Sequence, residues 1–127
     1  MEKAAKAVLN ALEYPDVELS LLITDDSEIE IFNRDYLNRQ GPTNVISFPM
    51  HEGEFAGMTP HMLGDVVISM DTAQKEAEKM NIRLEERFNE LLIHGILHLF
   101  GYDHEKSEEE TVRMEDKTFE LMKYLNI

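Results

Sequence analysis

Apolar residues recur along the chain with two periods, and the switches between them outline eight elements. Ala4, Ala5, Val8, Leu9 and Leu12 form a helical stripe over residues 2–13, ended by Tyr14-Pro15-Asp16. Residues 17–23 (VELSLLI) are rich in branched side chains and predict a strand. Asp25, Asp26 and Ser27 offer N-caps, with Glu28 and Glu30 placed for a capping box. A helix is therefore predicted to about Tyr36, with Ile29, Phe32 and Tyr36 turned inward. Residues 38–42 read as a loop and 44–48 (NVISF) as a short strand stopped by Pro49. Residues 51–63 contain Gly53, Gly57 and Pro60 and read as a long mobile loop. Residues 65–70 (DVVISM) predict a third strand, and Asp71 with Gln74 repeats the capping-box pattern ahead of a helix over 72–80. A long helix over about 84–100 stops at Gly101, as a helix does when glycine takes the C′ position. Ser107 with Glu110 caps the last helix, which reaches about Tyr124.

The order α-β-α-β-β-α-α-α is most economically packed as an α+β (mixed α/β) fold, a single layered domain over 1–127 in which helices cover a small mixed sheet. Periodicity does not decide the strand directions. The composition, 43% hydrophobic and 30% charged, is that of a globular chain. The chain has no cysteine, which excludes a disulfide scaffold, thiolate zinc sites, iron–sulfur clusters and a cysteine nucleophile. Charges interrupt the apolar stretch of the N-terminus, so it is not a signal peptide, and no apolar run reaches the ~18 residues that span a bilayer. A soluble cytoplasmic protein without a membrane partner is expected. Twelve basic residues against 26 acidic ones give a net charge of −14. Broad adhesion to nucleic acid depends on neutralised phosphates and is disfavoured by that balance. Any nucleic-acid partner has to be held by a few placed cations, a metal ion or another protein.

Three of the five histidines fall in residues 94–104, His-Gly-Ile-Leu-His-Leu-Phe-Gly-Tyr-Asp-His. His94 and His98 are four apart on a predicted helix, so their rings project from one face, as two ligands of a tetrahedral metal must. Gly101 can take a positive φ and turn the chain back, bringing His104 to the same ion. Three neutral imidazoles with an open fourth position is the pattern of a catalytic zinc. The spacing is similar to that of the metzincin proteases, with one extra residue before the last histidine. Those proteases place a glutamate directly after the first histidine as general base. Here that position is Gly95, which argues against peptide hydrolysis. A glycine inside a helix costs about 1 kcal/mol relative to alanine, so its reason is room, for another backbone or a substrate group that approaches the helix beside the metal.

The same eleven residues resemble the H-G-x-L-H-L-x-G-Y-D-H signature of the YbeY family, bacterial metal-dependent endoribonucleases. Pro42-Thr43-Asn44-Val45-Ile46-Ser47-Phe48-Pro49 and Leu63-Gly64-Asp65-Val66-Val67-Ile68 resemble two further blocks of that family, in family order. The resemblance implies one zinc ion held by His94, His98 and His104, and single-stranded RNA as substrate, near the 3′ end of small-subunit ribosomal RNA. It implies roles in ribosomal RNA maturation and ribosome quality control. It also implies the small ribosomal subunit, its proteins and assembly GTPases as partners. The chain departs from the pattern at Leu37, where the family has an arginine implicated in activity. Arg39, two residues on in the same loop, is the candidate to supply a guanidinium to phosphate there.

Asp103 could accept the free N–H of a ligand histidine or cap its own turn. Asn44 and Ser47 are candidates for substrate contact, and Tyr102 for packing. His51 and His61 fall in the predicted loop. Two other classes stay open at this point: a ribosome-assembly factor in which zinc is structural, and a metallopeptidase, weakened by Gly95.

Overall fold

The computed structural model describes residues 2–14, 16–49, 62–102 and 107–125. Asp103, His104, His51, His61 and residues 51–61 of the predicted loop lie outside the described residues. The elements are α1 (Glu2–Ala11), β1 (Glu18–Thr24), α2 (Asp26–Leu37), β2 (Val45–Pro49), β3 (Met62–Ser69), α3 (Met70–Met80), α4 (Leu84–Leu99) and α5 (Glu108–Leu125). Their order is the one that the hydrophobic pattern predicts, and the α+β class holds.

The three strands lie in the order β1-β3-β2. β1 runs parallel to β3, with Leu21 opposite Val66, and β2 runs antiparallel to it, with Ser47 also opposite Val66. β2 is thus an edge strand, so Pro49 does not stop it but pairs with Gly64, because an edge has no second ladder for the missing N–H to serve. Alternation along β2 sends Val45 toward the main core around α4, whereas Ile46 and Phe48 pack with Ile29, Phe32 and Val67 beneath α2. Helices therefore cover both sheet faces. α4 is the central element, with Phe88, Leu91, Leu92, Ile93, Ile96 and Leu97 all buried.

Local signals place most helix starts. Asp25 caps α2 by accepting from the Glu28 amide at 2.9 Å, and Ser107 caps α5 by accepting from Glu110 at 3.1 Å. At α3 the capping residue is Ser69 rather than Asp71, since β3 passes straight into the helix and the Thr72 amide meets the Ser69 hydroxyl at 3.3 Å. Asp71 instead accepts from the Asp26 amide at 3.1 Å. The Asp26 carboxylate accepts from Ser69 at 2.6 Å, from the Thr72 hydroxyl and from Lys75 at 3.0 Å, which ties the starts of α2 and α3 together. The Ser69 and Thr72 hydrogen bonds hold its carboxyl down to about 2.

Tyr36 is not turned inward: it is 69% exposed, edge-on to Phe48 at 5.5 Å. Its ring stacks on Phe32 at 6.0 Å, and the buried residue on that last stretch of α2 is Asn33. Among the described residues, no buried side-chain nitrogen or oxygen lacks a hydrogen-bond partner.

Candidate functional site

α4 carries His94 and His98 on one face, with Nε2 atoms 3.1 Å apart and ring planes inclined by 72°. Two imidazole nitrogens bound to a tetrahedral ion at 2.0–2.1 Å stand about 3.3 Å apart. The observed Nε2 spacing is close to that value, so these two donors fit a shared zinc. Gly101 has the positive φ, 96°, that the sequence pattern called for. Its amide donates to His98 O and the Tyr102 amide to Leu97 O, both at 3.0 Å, closing the helix. The Arg113 guanidinium lies 4.7 Å from the centre of the Tyr102 ring, so Tyr102 packs the turn against α5.

Gly95 does have a neighbour that requires it, and the neighbour is the sheet. A Cβ there would stand 2.7 Å from Val66 Cγ1, 3.2 Å from Val45 Cγ2 and 3.3 Å from Ser47 Oγ. The Ser47 hydroxyl donates to the Gly95 carbonyl at 2.8 Å. The missing side chain lets the edge strand seat directly on the histidine helix, one residue from His94.

The histidines border a cleft of about 520 Å³ between α4, β2 and the loop after α2. Leu37, Arg39, Asn44 and Ser47 line the same cleft. Arg39 is placed there by the end of α2. Asn38 adopts the left-handed conformation (φ 55°, ψ 38°), and the Arg39 amide donates to Asn33 O at 3.1 Å. The buried Asn33 side chain donates to Gly41 O at 2.9 Å, clamping the loop on its other side. Positions 37 and 39 thus border one cleft, as compensation between them requires. The Arg39 side chain makes no ion pair or hydrogen bond among the described residues. No carboxylate lines this cleft among the described residues.

Asn44 and Ser47 reach the cleft with their donors already engaged. The Asn44 amide group donates to both Glu76 oxygens at 3.2 Å, and Glu76 in turn holds Arg87 at 2.9 Å. Sequence reasoning passed over Asn33, Glu76 and Arg87. Only Asn33 left a signal: a short amide residue, poor in helix interiors, on the buried side of α2.

Comparison with known proteins bears on the same residues. The family model described as Endoribonuclease YbeY matches residues 1–126. The Endoribonuclease YbeY of Syntrophotalea carbinolica is 55% identical over 122 residues, covering 95% of this chain and 81% of that protein. The protein of the same name from Geobacter metallireducens is 53% identical over 126 residues, covering 98% and 84%. That from Aquifex aeolicus is 50% identical over 125 residues, covering 98% and 79%. The solution structure of TM1509 from Thermotoga maritima superposes with a TM-score of 0.67 at 25% identity, over 97% of this chain and 77% of that one. With a match that spans the paired histidines, the edge strand and the Gly64 block alike, the chain belongs to the YbeY endoribonuclease family.

Proposed function

We propose that this protein is a metal-dependent endoribonuclease that cleaves single-stranded RNA in the cleft bordered by His94, His98 and Arg39. The observation that carries the reading is the close approach of two histidine Nε2 atoms, 3.1 Å apart, in a cleft also lined by an arginine that makes no ion pair among the described residues. His94, His98 and His104 would hold one zinc ion. Such an ion supplies Lewis-acid polarisation of a phosphoryl oxygen and a source of hydroxide at neutral pH.

The chain's own residues do the rest. Arg39 offers a planar fork of donors to the phosphate, where developing negative charge needs it. The lack of an ion pair among the described residues matters, because a guanidinium held by a carboxylate would have to break that pair first. Ser47 and Gly95 keep the cleft wall at a set distance from His94. Asp103 would orient a ligand histidine by accepting its second N–H. Family membership extends the reading to the 3′ end of small-subunit ribosomal RNA in the cytoplasm, in ribosomal RNA maturation and ribosome quality control. The small ribosomal subunit, its proteins and assembly GTPases are the partners it brings.

One other reading has an observation in its favour. The net charge of −14 and Leu37 in place of an arginine suit an assembly factor whose zinc is structural. Purified protein incubated with single-stranded RNA, with and without chelator, separates the two. The nuclease reading expects chelator-sensitive cleavage, about one zinc per chain by elemental analysis, and loss of both in His98→Ala. Cleavage indifferent to chelator, or a metal-free active protein, would overturn it.

A further inference from the structure

His94 borders a second groove on its other side. This groove, of about 860 Å³, runs between α4 and α5. Its α5 wall is a single helical stripe in which Thr111, Glu115, Thr118, Phe119 and Met122 recur at three- and four-residue spacing. Leu91, Met114 and Met122 make an apolar floor. On the outer wall the Phe119 ring is 68% exposed, with Lys123 Nζ 5.0 Å from its centre. An exposed aromatic ring beside a methionine-lined trough is the kind of anchor that protein partners use.

The charges choose between kinds of partner. Glu86, Glu90 and Glu115 border the groove. Of its two cations, Arg87 is held by Glu76 at 2.9 Å and by Glu90 at 3.4 Å, and Lys123 lies over Phe119. Glu86 and Glu115 make no ion pair among the described residues. A phosphate chain would be repelled here, whereas a cationic chain would be attracted. Both walls are helices whose backbone groups are already paired, so an incoming segment has to satisfy its own backbone, as a helix does. Thr111 to Lys123 spans about 18 Å of helix axis, a length matched by about three turns.

We infer that the α4–α5 groove docks an amphipathic, lysine- or arginine-rich helix of a partner protein. Its apolar side chains sit against Phe119 and Met122, and its cations meet Glu86 and Glu115. This assignment stands apart from the nuclease reading, since none of its evidence involves RNA or metal.

The test measures anisotropy of a labelled helical peptide of about 18 residues, long enough to hold some helix in isolation, at ~0.15 M salt with the full chain. The peptide carries leucines at i, i+3, i+4 and i+7 with lysines on the flanks, and a companion carries glutamates instead. The lysine peptide should bind at least about tenfold more tightly than its companion, and Phe119→Ala should weaken it by a similar factor. Glu115→Lys should weaken it well beyond Glu30→Lys, which changes net charge equally but lies on α2, outside the groove. Equal loss in those two variants, or binding indifferent to Phe119→Ala, would leave only non-specific attraction and overturn the assignment. So would a Phe119→Ala variant whose KM for single-stranded RNA rises about tenfold while peptide binding holds, because the ring would then be a base-stacking platform.

Discussion

Two grooves meet at His94 and differ in almost every property that decides a partner. The cleft on the Arg39 side is walled by a loop and an edge strand, and its charged side chain is a guanidinium without an ion pair among the described residues. The α4–α5 groove is walled by two helices and floored by apolar side chains, and it carries three carboxylates. A net charge of −14 describes neither. Affinity for a polyanion depends on where the few uncommitted cations stand, and here one lines the cleft that the two histidines border. The contrast separates a place for phosphate from a place for a cationic helix within a single 16-residue helix, α4.

The sharpest way to break the contrast is to disturb what both grooves share. Gly95→Glu forces a side chain into the seam between α4 and the sheet, where a Cβ alone would stand 2.7 Å from Val66. It should cost more than about 4 kcal/mol and abolish cooperative thermal unfolding, while Gly95→Ala should cost about 1–3 kcal/mol. A Gly95→Glu protein that melts like the parent would show that this close approach does not set the position of α4.

Arg39→Ala tests one side alone. RNA cleavage should fall by about 10- to 1,000-fold, the range for removing one charge-stabilising donor, with zinc content and melting temperature unchanged. Adding Leu37→Arg should restore much of the rate, because both positions border the cleft. Peptide binding in the α4–α5 groove should not move. Undiminished cleavage in Arg39→Ala would mean that the phosphate is held elsewhere.

Asp26 lies in neither groove and serves as a stability control. Its carboxyl is lowered from 3.8 to about 2, so its stabilisation is complete above 3.8 and is lost as pH falls toward 2. With its side chain 20% exposed, Asp26→Asn should lower stability by about 1–2 kcal/mol at neutral pH. In urea titrations the gap between variant and parent should close as pH approaches 2, and neither cleavage nor peptide binding should change. A gap that persists at pH 2 would assign the loss to something other than the charge.

The smallest effect is expected at Ser47. Ser47→Ala removes the hydrogen bond to the Gly95 carbonyl and should cost about 1 kcal/mol. Zinc affinity, followed by competition with a chromogenic chelator, should drop less than tenfold. A much larger drop would make Ser47 part of the metal's immediate surroundings.

Much of the His94–His98 arrangement was legible in the chain, because it depends on rules that act within a turn or two of helix. Four-residue spacing on α4 brings the two rings together, Gly101 takes the positive φ, and Asp25 and Ser107 start their helices as short polar residues do. The eight elements and their order came from the same short-range periodicities, whereas the resemblance that the family match later bore out rests on the residue identities of three blocks, 42–49, 63–68 and 94–104. What only the tertiary structure decided involves residues far apart in the chain. Strand order made β2 an edge, which let Pro49 stay in the strand, and packing left Tyr36 exposed against Phe48. Packing showed that the space at Gly95 belongs to Val66, Val45 and Ser47 rather than to substrate. Asn33, buried and bonded to Gly41, holds the loop that puts Arg39 on the wall of the histidine cleft, and the seating of α5 on α4 opened the acidic groove. Periodicity reports which face of an element is apolar, but which surfaces meet depends on long-range packing, and that is where the two sides of His94 acquired their different chemistry.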